Sequence, residues 1–223
     1  MRRSLLIALI AIALASSASG DGVTRLTPVD TSELVLDGAS NLAPWRCSGR
    51  TLDAQMVVAA SLEQINHIID HIEDGNVAVL IADPSKARIP EPSFVLRVPI
   101  STLRCGNKIM ERDMNHALRA DRFPEIEFHF TALHSVVNHD IDAHTYRFII
   151  GGVLTLAGVA RDIEVCVVAA RLAPQRFRIQ AELPLRMTDF GIAPPTALFG
   201  VIKSHDDLRV RFDLVLQASE AMP

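Results

Sequence analysis

Alternation of apolar and polar side chains constrains this chain more than any other feature. Phe94, Leu96 and Val98 alternate with Val95 and Arg97, and Ile126, Phe128 and Phe130 with Glu127, His129 and Thr131. Phe177, Ile179, Ala181 and Leu183 alternate with Arg178, Gln180 and Glu182. Leu208, Val210, Phe212, Leu214 and Leu216 alternate with Arg209, Arg211 and Asp213. Successive side chains of a strand point to opposite faces, so each segment reads as a strand with one buried face. Residues 34–36, 52–59, 146–156 and 161–172 read as further strands, and 76–82 as a weaker one. Gly158, between the two middle strands, suits a tight hairpin. Eight or nine strands joined mainly by turns call for a sandwich or a closed barrel.

Two helices interrupt this pattern. Ser61 and Gln64 form a capping box, after which Leu62, Ile65, Ile69 and Ile72 share one face and Gly75 ends the helix. Asn107 is a good N-cap for a second helix that puts Met110, Met114, Ala117 and Leu118 on one face and stops before Pro124. Residues 83–92, rich in proline and charge, read as a loop. No repeat or interdomain linker is evident, so residues 21–223 are expected to form one domain.

The first twenty residues read as a signal peptide. Arg2 and Arg3 precede an apolar run over 5–15, and Ser16, Ser17, Ala18, Ser19 and Gly20 supply the small residues of a cleavage site. The run is about half of the ~20 residues a membrane helix needs, so no permanent anchor is expected. Export to the periplasm or beyond follows. The formal charge of −4 includes Arg2 and Arg3, so the mature chain is more acidic, which disfavours a nucleic-acid partner. Three cysteines, Cys47, Cys105 and Cys166, permit one disulfide, and spacing leaves all three pairings open. No CxxC supports a zinc or redox site.

Catalytic constellations are scarce. His67 and His71 share a helical spacing but lack an evident third ligand, and His134, His139 and His144 surround an expected polar turn; both groups read as solvated. Asp189-Phe190-Gly191 matches a kinase magnesium motif in letters only, because no glycine-rich phosphate loop accompanies it, and it reads as a turn. There is no GxSxG. Gly151-Gly152, inside a strand-like run, suggests a bend or bulge. Glu111 and Asp113 read as a solvated helix face. No catalytic residue, metal or cofactor is assigned.

Four runs carry a family resemblance. They are Val98-Pro99-Ile100 through Leu103 with the helix behind it, Phe123-Pro124-Glu125-Ile126-Glu127-Phe128, Gly152-Val153-Leu154-Thr155-Leu156-Ala157-Gly158-Val159, and Met187-Thr188-Asp189-Phe190-Gly191-Ile192. In this order they resemble the YceI-like family, described as polyisoprenoid-binding periplasmic proteins with a lipocalin-like barrel. The resemblance implies an all-β fold, a single antiparallel lipocalin-like β-barrel of about eight strands with one or two short helices. It also implies an isoprenoid-type lipid or quinone as partner rather than a reaction. Pro44-Trp45-Arg46-Cys47 and Leu103-Arg104-Cys105-Gly106 look like the disulfide partners of a cysteine-bearing branch, and residues 61–92 look like an insertion.

An eight-stranded barrel is wide enough for one small ligand, and each buried methylene favours binding by about 0.8 kcal/mol. The walls expected from the pattern are Phe94, Leu96, Phe128, Phe130, Phe148, Phe177 and Phe212, with Met110 and Met114 at the entrance. Cys166, in an apolar strand, reads as a buried inert thiol. The competing reading is a structural or stress-related envelope protein whose barrel is filled by its own side chains. An unrecognised hydrolase ranks third.

Overall fold

The computed structural model describes residues 22–58, 60–63, 65–66, 93–140, 145–197, 199 and 201–221. The signal segment, His67, His71, His144, Gln64, the strand expected at 76–82 and the loop at 83–92 lie outside them. Among the described residues eleven strands form: β1 (Val23–Pro28), β2 (Glu33–Ser40), β3 (Pro44–Gly49), β4 (Asp53–Val58), β5 (Ser93–Pro99), β6 (Glu125–Asp140), β7 (Thr145–Leu156), β8 (Val159–Ala173), β9 (Arg176–Arg186), β10 (Thr196–Ala197) and β11 (Ile202–Ala221). One α-helix, α1 (Lys108–Ala117), lies between β5 and β6. A first turn of the earlier helix is present, with the Ile65 amide donating to the Ser61 carbonyl at 3.0 Å, while the expected capping box involves Gln64, outside the described residues.

Eight strands close an antiparallel barrel in the order β1, β4, β5, β6, β7, β8, β9, β11 and back to β1. Closure leaves no strand edge among these eight, which removes the hazard of exposed ladder groups. The length of β11 makes the rest of the sheet possible. One of its edges pairs with β9 from Asp207 to Gln217. Its other edge pairs first with β2, as far as Asp213, and then with β1 from Leu216. The β2–β3 hairpin therefore extends the same sheet from the first half of β11, and β1, β3 and β10 are the strands that alternation alone did not pick out.

The two ends differ. At one end the connections are the β2–β3 hairpin, the α1 segment, the β7–β8 turn and residues 187–201. This end is sealed: Ile100 and Leu103 are 0% exposed and Phe190 is 2% exposed, and Met187, Ile192, Leu156 and Ala157 are buried around them. Phe190 sits in a single 3-10 turn, Met187–Phe190, ended by Gly191 at φ 65. Asp206 holds that turn. It accepts from the Thr188 hydroxyl at 2.7 Å, the Thr188 amide at 2.9 Å and Arg186 Nε at 3.0 Å, and these bonds keep its carboxyl below the usual range. The expected turn at Asp189-Phe190-Gly191 is thus a plug. Ala157 and Gly158 both have positive φ, as a two-residue hairpin of mirror-type turn requires. A Cβ on Gly158 would stand 2.3 Å from the Phe123 ring, so this glycine is needed for space as well as for φ.

Outward charges are paired across strands. Asp213 on β11 accepts from Arg178 Nε at 2.7 Å and from a second Arg178 nitrogen, and also from Gln180 on β9. The Arg178 hydrogen bonds outweigh burial and lower the Asp213 carboxyl. For Asp37 burial is the largest influence and pushes upward, but hydrogen bonds and charge from Arg46 and Arg211 overcome it and the carboxyl is lowered. A carboxylate whose pKa falls on folding contributes stability above its unfolded pKa and loses it as pH drops through the folded value. Stability is therefore expected to decline as pH falls below the ordinary carboxylate range, toward the lowered values at which these groups protonate in the folded protein. Asp213→Asn should flatten that acid limb and cost about 0.2–1 kcal/mol at pH 7, read by urea unfolding across a pH series.

Candidate ligand-binding interior

Register fixes which side chains face inward. Met56 pairs with Phe94, Leu96 with Phe128, Phe128 with Leu154 and Phe130 with Gly152. Phe148 pairs with Val167, Val167 with Ala181 and Ala181 with Phe212. Directly opposed residues share a face, so these pairs form one continuous apolar lining. Of the seven wall residues expected from the alternation, Phe94, Leu96, Phe128, Phe130, Phe148 and Phe212 stand in these pairs, and Phe177, opposite Leu216 on β11, continues the same face of β9. Phe94 and Phe128 meet edge to face with ring centroids 6.3 Å apart, and Tyr146 stacks with Phe148 at the same distance.

Exposure along this lining is graded. On β5, Val98 is 1% and Leu96 4% exposed, whereas Phe94 is only half-buried. On β6 the sequence runs from buried Ile126 and Phe128 to half-buried Phe130. On β7, Leu156 and Leu154 are buried and Ile150 and Phe148 half-buried. On β9, Leu183 is buried and Ala181, Ile179 and Phe177 are half-buried. Thus the inward side chains are closely packed beside the Phe190 plug and mostly less covered toward the other end, where Tyr146, at 7% exposure, is the exception on β7. On β11 and β1 burial persists, through Leu214, Leu216, Ala218 and Leu26, and Val167 on β8 and Tyr146 on β7 are buried as well, so the incomplete cover is confined to the half-buried phenylalanines and their neighbours Ile150, Ile179 and Ala181.

Gly151-Gly152 lies where a bend or bulge was expected, and a bulge is found there, its extra residue on β6 between Phe130 and Ala132, opposite the two glycines. β7 stays in register with β8 throughout, and the shifts fall on β6 opposite, between Phe130 and Ala132, Leu133 and Ser135, and Val136 and Asn138. Gly152 makes room for a ring: a Cβ there would lie 2.3 Å from Phe128 and 2.7 Å from the His129 carbonyl oxygen. Gly152→Ala is expected to cost about 1–3 kcal/mol by overpacking, measured by chemical denaturation.

Met110 and Met114 stand apart from the phenylalanines. They lie on α1, whose N-cap is Asn107, its side chain accepting from the Ile109 amide at 2.9 Å. Both methionines pack against the core at the plugged end, and Met114 Sδ is 3.8 Å from Cys105 Sγ. Cys47 and Cys105 form the disulfide, their Cα atoms 4.0 Å apart, joining β3 to the segment before α1. Beside it, Ser48 and Arg104 exchange backbone hydrogen bonds of 2.8 and 2.7 Å.

The expectation for Cys166 is corrected. It is a free thiol and exposed, because Val165 and Val167 take the inward positions of β8 and leave Cys166 on the outer face. The polar turn expected around His134 is also shorter than its histidines suggested. β6 continues to Asp140, and exposed His134 pairs with Glu164 on β8 at 2.6 Å. Among the described residues there is no group of three or more His, Cys, Asp or Glu side chains placed to hold a metal, and no helix long and apolar enough to cross a membrane. At the rim, Asn66, Arg171, Leu172, Ala173 and Pro174 line a depression of about 360 Å³, with Asn66 Nδ2 donating to the Pro174 carbonyl at 2.8 Å.

Comparison with solved structures finds the same fold elsewhere. The crystal structure of Burkholderia cenocepacia BcnA is 17% identical, with a TM-score of 0.55, over 85% of this chain and 98% of that one. A polyisoprenoid binding domain from Saccharophagus degradans, described as implicated in plant cell wall breakdown, is 13% identical, with a TM-score of 0.57, over 88% of this chain and 98% of that one. At these identities the likeness is one of fold. Comparison with curated proteins finds no match. The model of the YceI-like domain matches residues 52–216, which spans β4 to β11 and so seven of the eight barrel strands. By that match, together with the closed eight-stranded barrel, the chain belongs to the YceI-like family.

Proposed function

We propose that this protein is an exported binding protein that carries an apolar, isoprenoid-type lipid or quinone inside its barrel. The observation that carries this reading is the graded interior: one end is sealed by Phe190, while Phe94, Phe130, Phe148, Phe177 and Phe212 line the remainder half-buried. A barrel filled by its own side chains would bury these rings as completely as it buries Leu34 and Leu216. An all-carbon wall suffices for affinity toward a long hydrocarbon, because binding scales with apolar area removed from water. The Saccharophagus degradans neighbour is described as binding a polyisoprenoid, which lends the ligand class further support.

Export rests on the Arg2-Arg3 start and the short apolar run. N-terminal sequencing of protein recovered from the periplasm should begin close to Asp21; an intact Met1 in that pool would refute cleavage. The ligand reading is tested by mass spectrometry of an organic extract of the purified protein. An isoprenoid lipid or quinone in near-stoichiometric amount is the expected result. A clean extract, together with no binding of added fluorescent isoprenoid, would overturn it.

A further inference from the structure

Two uncharged stretches meet at the plugged end of the barrel. Residues 38–45 and 190–202 contain no Asp, Glu, Lys, Arg or His, in a chain that is 22% charged. Below Asp207, β11 parts from β9, whose last partner there is Arg186, and runs on to Ile202 beside β2 and β10. Those five residues carry the sheet about 15 Å past the last β9 contact. At the extremity stand Leu42, Phe199 and Val201, which are 68%, 110% and 67% exposed. They are three of the five large apolar side chains exposed among the described residues.

The extremity is held in shape. Asn41 Nδ2 donates to the Val201 carbonyl at 2.9 Å, and the Asn41 amide donates to the Lys203 carbonyl at 3.0 Å. The Lys203 amide returns a bond to Asn41 Oδ1 at 2.8 Å. Ser40 Oγ accepts from the amides of Leu42 and Ala43, which closes the β2–β3 turn. Phe199 is kept at φ 57, a region that bulky residues rarely occupy. Two loops are thereby joined through one asparagine, and their apolar side chains project together into solvent.

We infer that this projecting tip is a membrane contact, in which Leu42, Phe199 and Val201 enter the interfacial layer of an anionic phospholipid bilayer. Size and shape favour lipid over protein. A buried aromatic side chain covers about 150–250 Å², so three apolar side chains offer a few hundred, against the roughly 800 Å² per partner of a stable protein interface. The tip is also convex, and a bilayer accepts a convex wedge without a matching surface. Charge points the same way. Lys203, whose side chain makes no ion pair among the described residues, follows the apolar stretch directly and can meet lipid phosphates. Of the acidic residues nearby, Asp37 and Asp206 are already engaged by Arg46, Arg211 and Arg186, and exposed Asp207 stands four residues beyond Lys203 on β11. The contact is separate from the barrel lining and adds to the proposed binding function a place where the protein rests.

Vesicle flotation tests it, using phosphatidylcholine with and without phosphatidylglycerol and no isoprenoid in either. The full mature protein should float with the anionic vesicles. Leu42→Ser combined with Phe199→Ser should lower the floated fraction about tenfold, with an unchanged unfolding midpoint because both side chains are exposed. Lys203→Ala should weaken flotation less and reduce its salt dependence. Ala181→Phe should float normally, which separates tip contact from uptake of lipid by the interior, and the double Ser variant should still bind a fluorescent isoprenoid. Wild type left at the bottom of the gradient, or a double variant that floats as well as wild type, overturns the inference. So does light scattering that shows a wild-type dimer converted by the double variant to monomer, since a second copy would then occupy the tip.

Discussion

Ala181→Phe is expected to abolish binding of a fluorescent isoprenoid while leaving the unfolding midpoint of the ligand-free protein near that of wild type. Ala181 lies on the inward face of β9, directly opposite Phe212 on β11 and Val167 on β8. It is half-buried in a part of the lining where Ile179 and Phe177 are half-buried too. On the carrier reading, a phenyl ring added there enters space that the protein does not fill, so it costs little in the free protein. The same ring occupies the volume a ligand needs. If the interior were already packed by the protein's own side chains, the substitution would instead overpack it and cost about 1–3 kcal/mol. Denaturant unfolding without ligand and titration of the probe together separate the two cases. Lost stability in a protein that never bound the probe would exclude a carrier.

Removing the disulfide should have the largest effect on stability. Cys47→Ala with Cys105→Ala opens a loop whose ends are 58 residues apart. Chain-entropy reasoning assigns about 4 kcal/mol to closing a loop of that length, a figure that is model-dependent. Packing adds to it, since Cys47 is 0% exposed and Met114 rests on Cys105. The bridge ties the β2–β3 hairpin to the segment that leads into α1, and both close the plugged end. The variant should therefore unfold at markedly lower denaturant concentration, with peptide mapping of wild type under non-reducing conditions linking Cys47 to Cys105 and leaving Cys166 free. A loss of under about 1 kcal/mol would show that the plugged end is held by its apolar packing alone.

How these effects could be anticipated depends on the range of the interaction behind each residue. Alternation is a local property of the backbone, so the strands around Phe94, Phe128, Phe177 and Phe212 and their inward faces were readable from the residues alone. The Asn107 cap and the turn at Gly158 were readable for the same reason, because each is decided within a few positions. The pairing of Cys47 with Cys105 came from likeness of their surroundings to a known family, as spacing left every pairing open. Other features depend on which strand lies beside which. The outward position of Cys166 follows from Val165 and Val167 facing in, and an apolar run without clear alternation did not reveal that phase. The three register shifts of β6 and the ring of Phe128 over Gly152 require the facing strand. Met110 and Met114 lie at the plugged end because α1 connects β5 to β6 there, and a helix's apolar face does not say what it will cover. The bonds of Asn41 to Val201 and Lys203 join the turn of Leu42 to a segment about 160 residues away. Sequence by itself determined the clearly alternating strands and their faces, since those arise from period-two geometry; the short strands β1, β3 and β10, the sealed end, the open wall and the projecting tip were decided by closure of the barrel, which brings distant segments together.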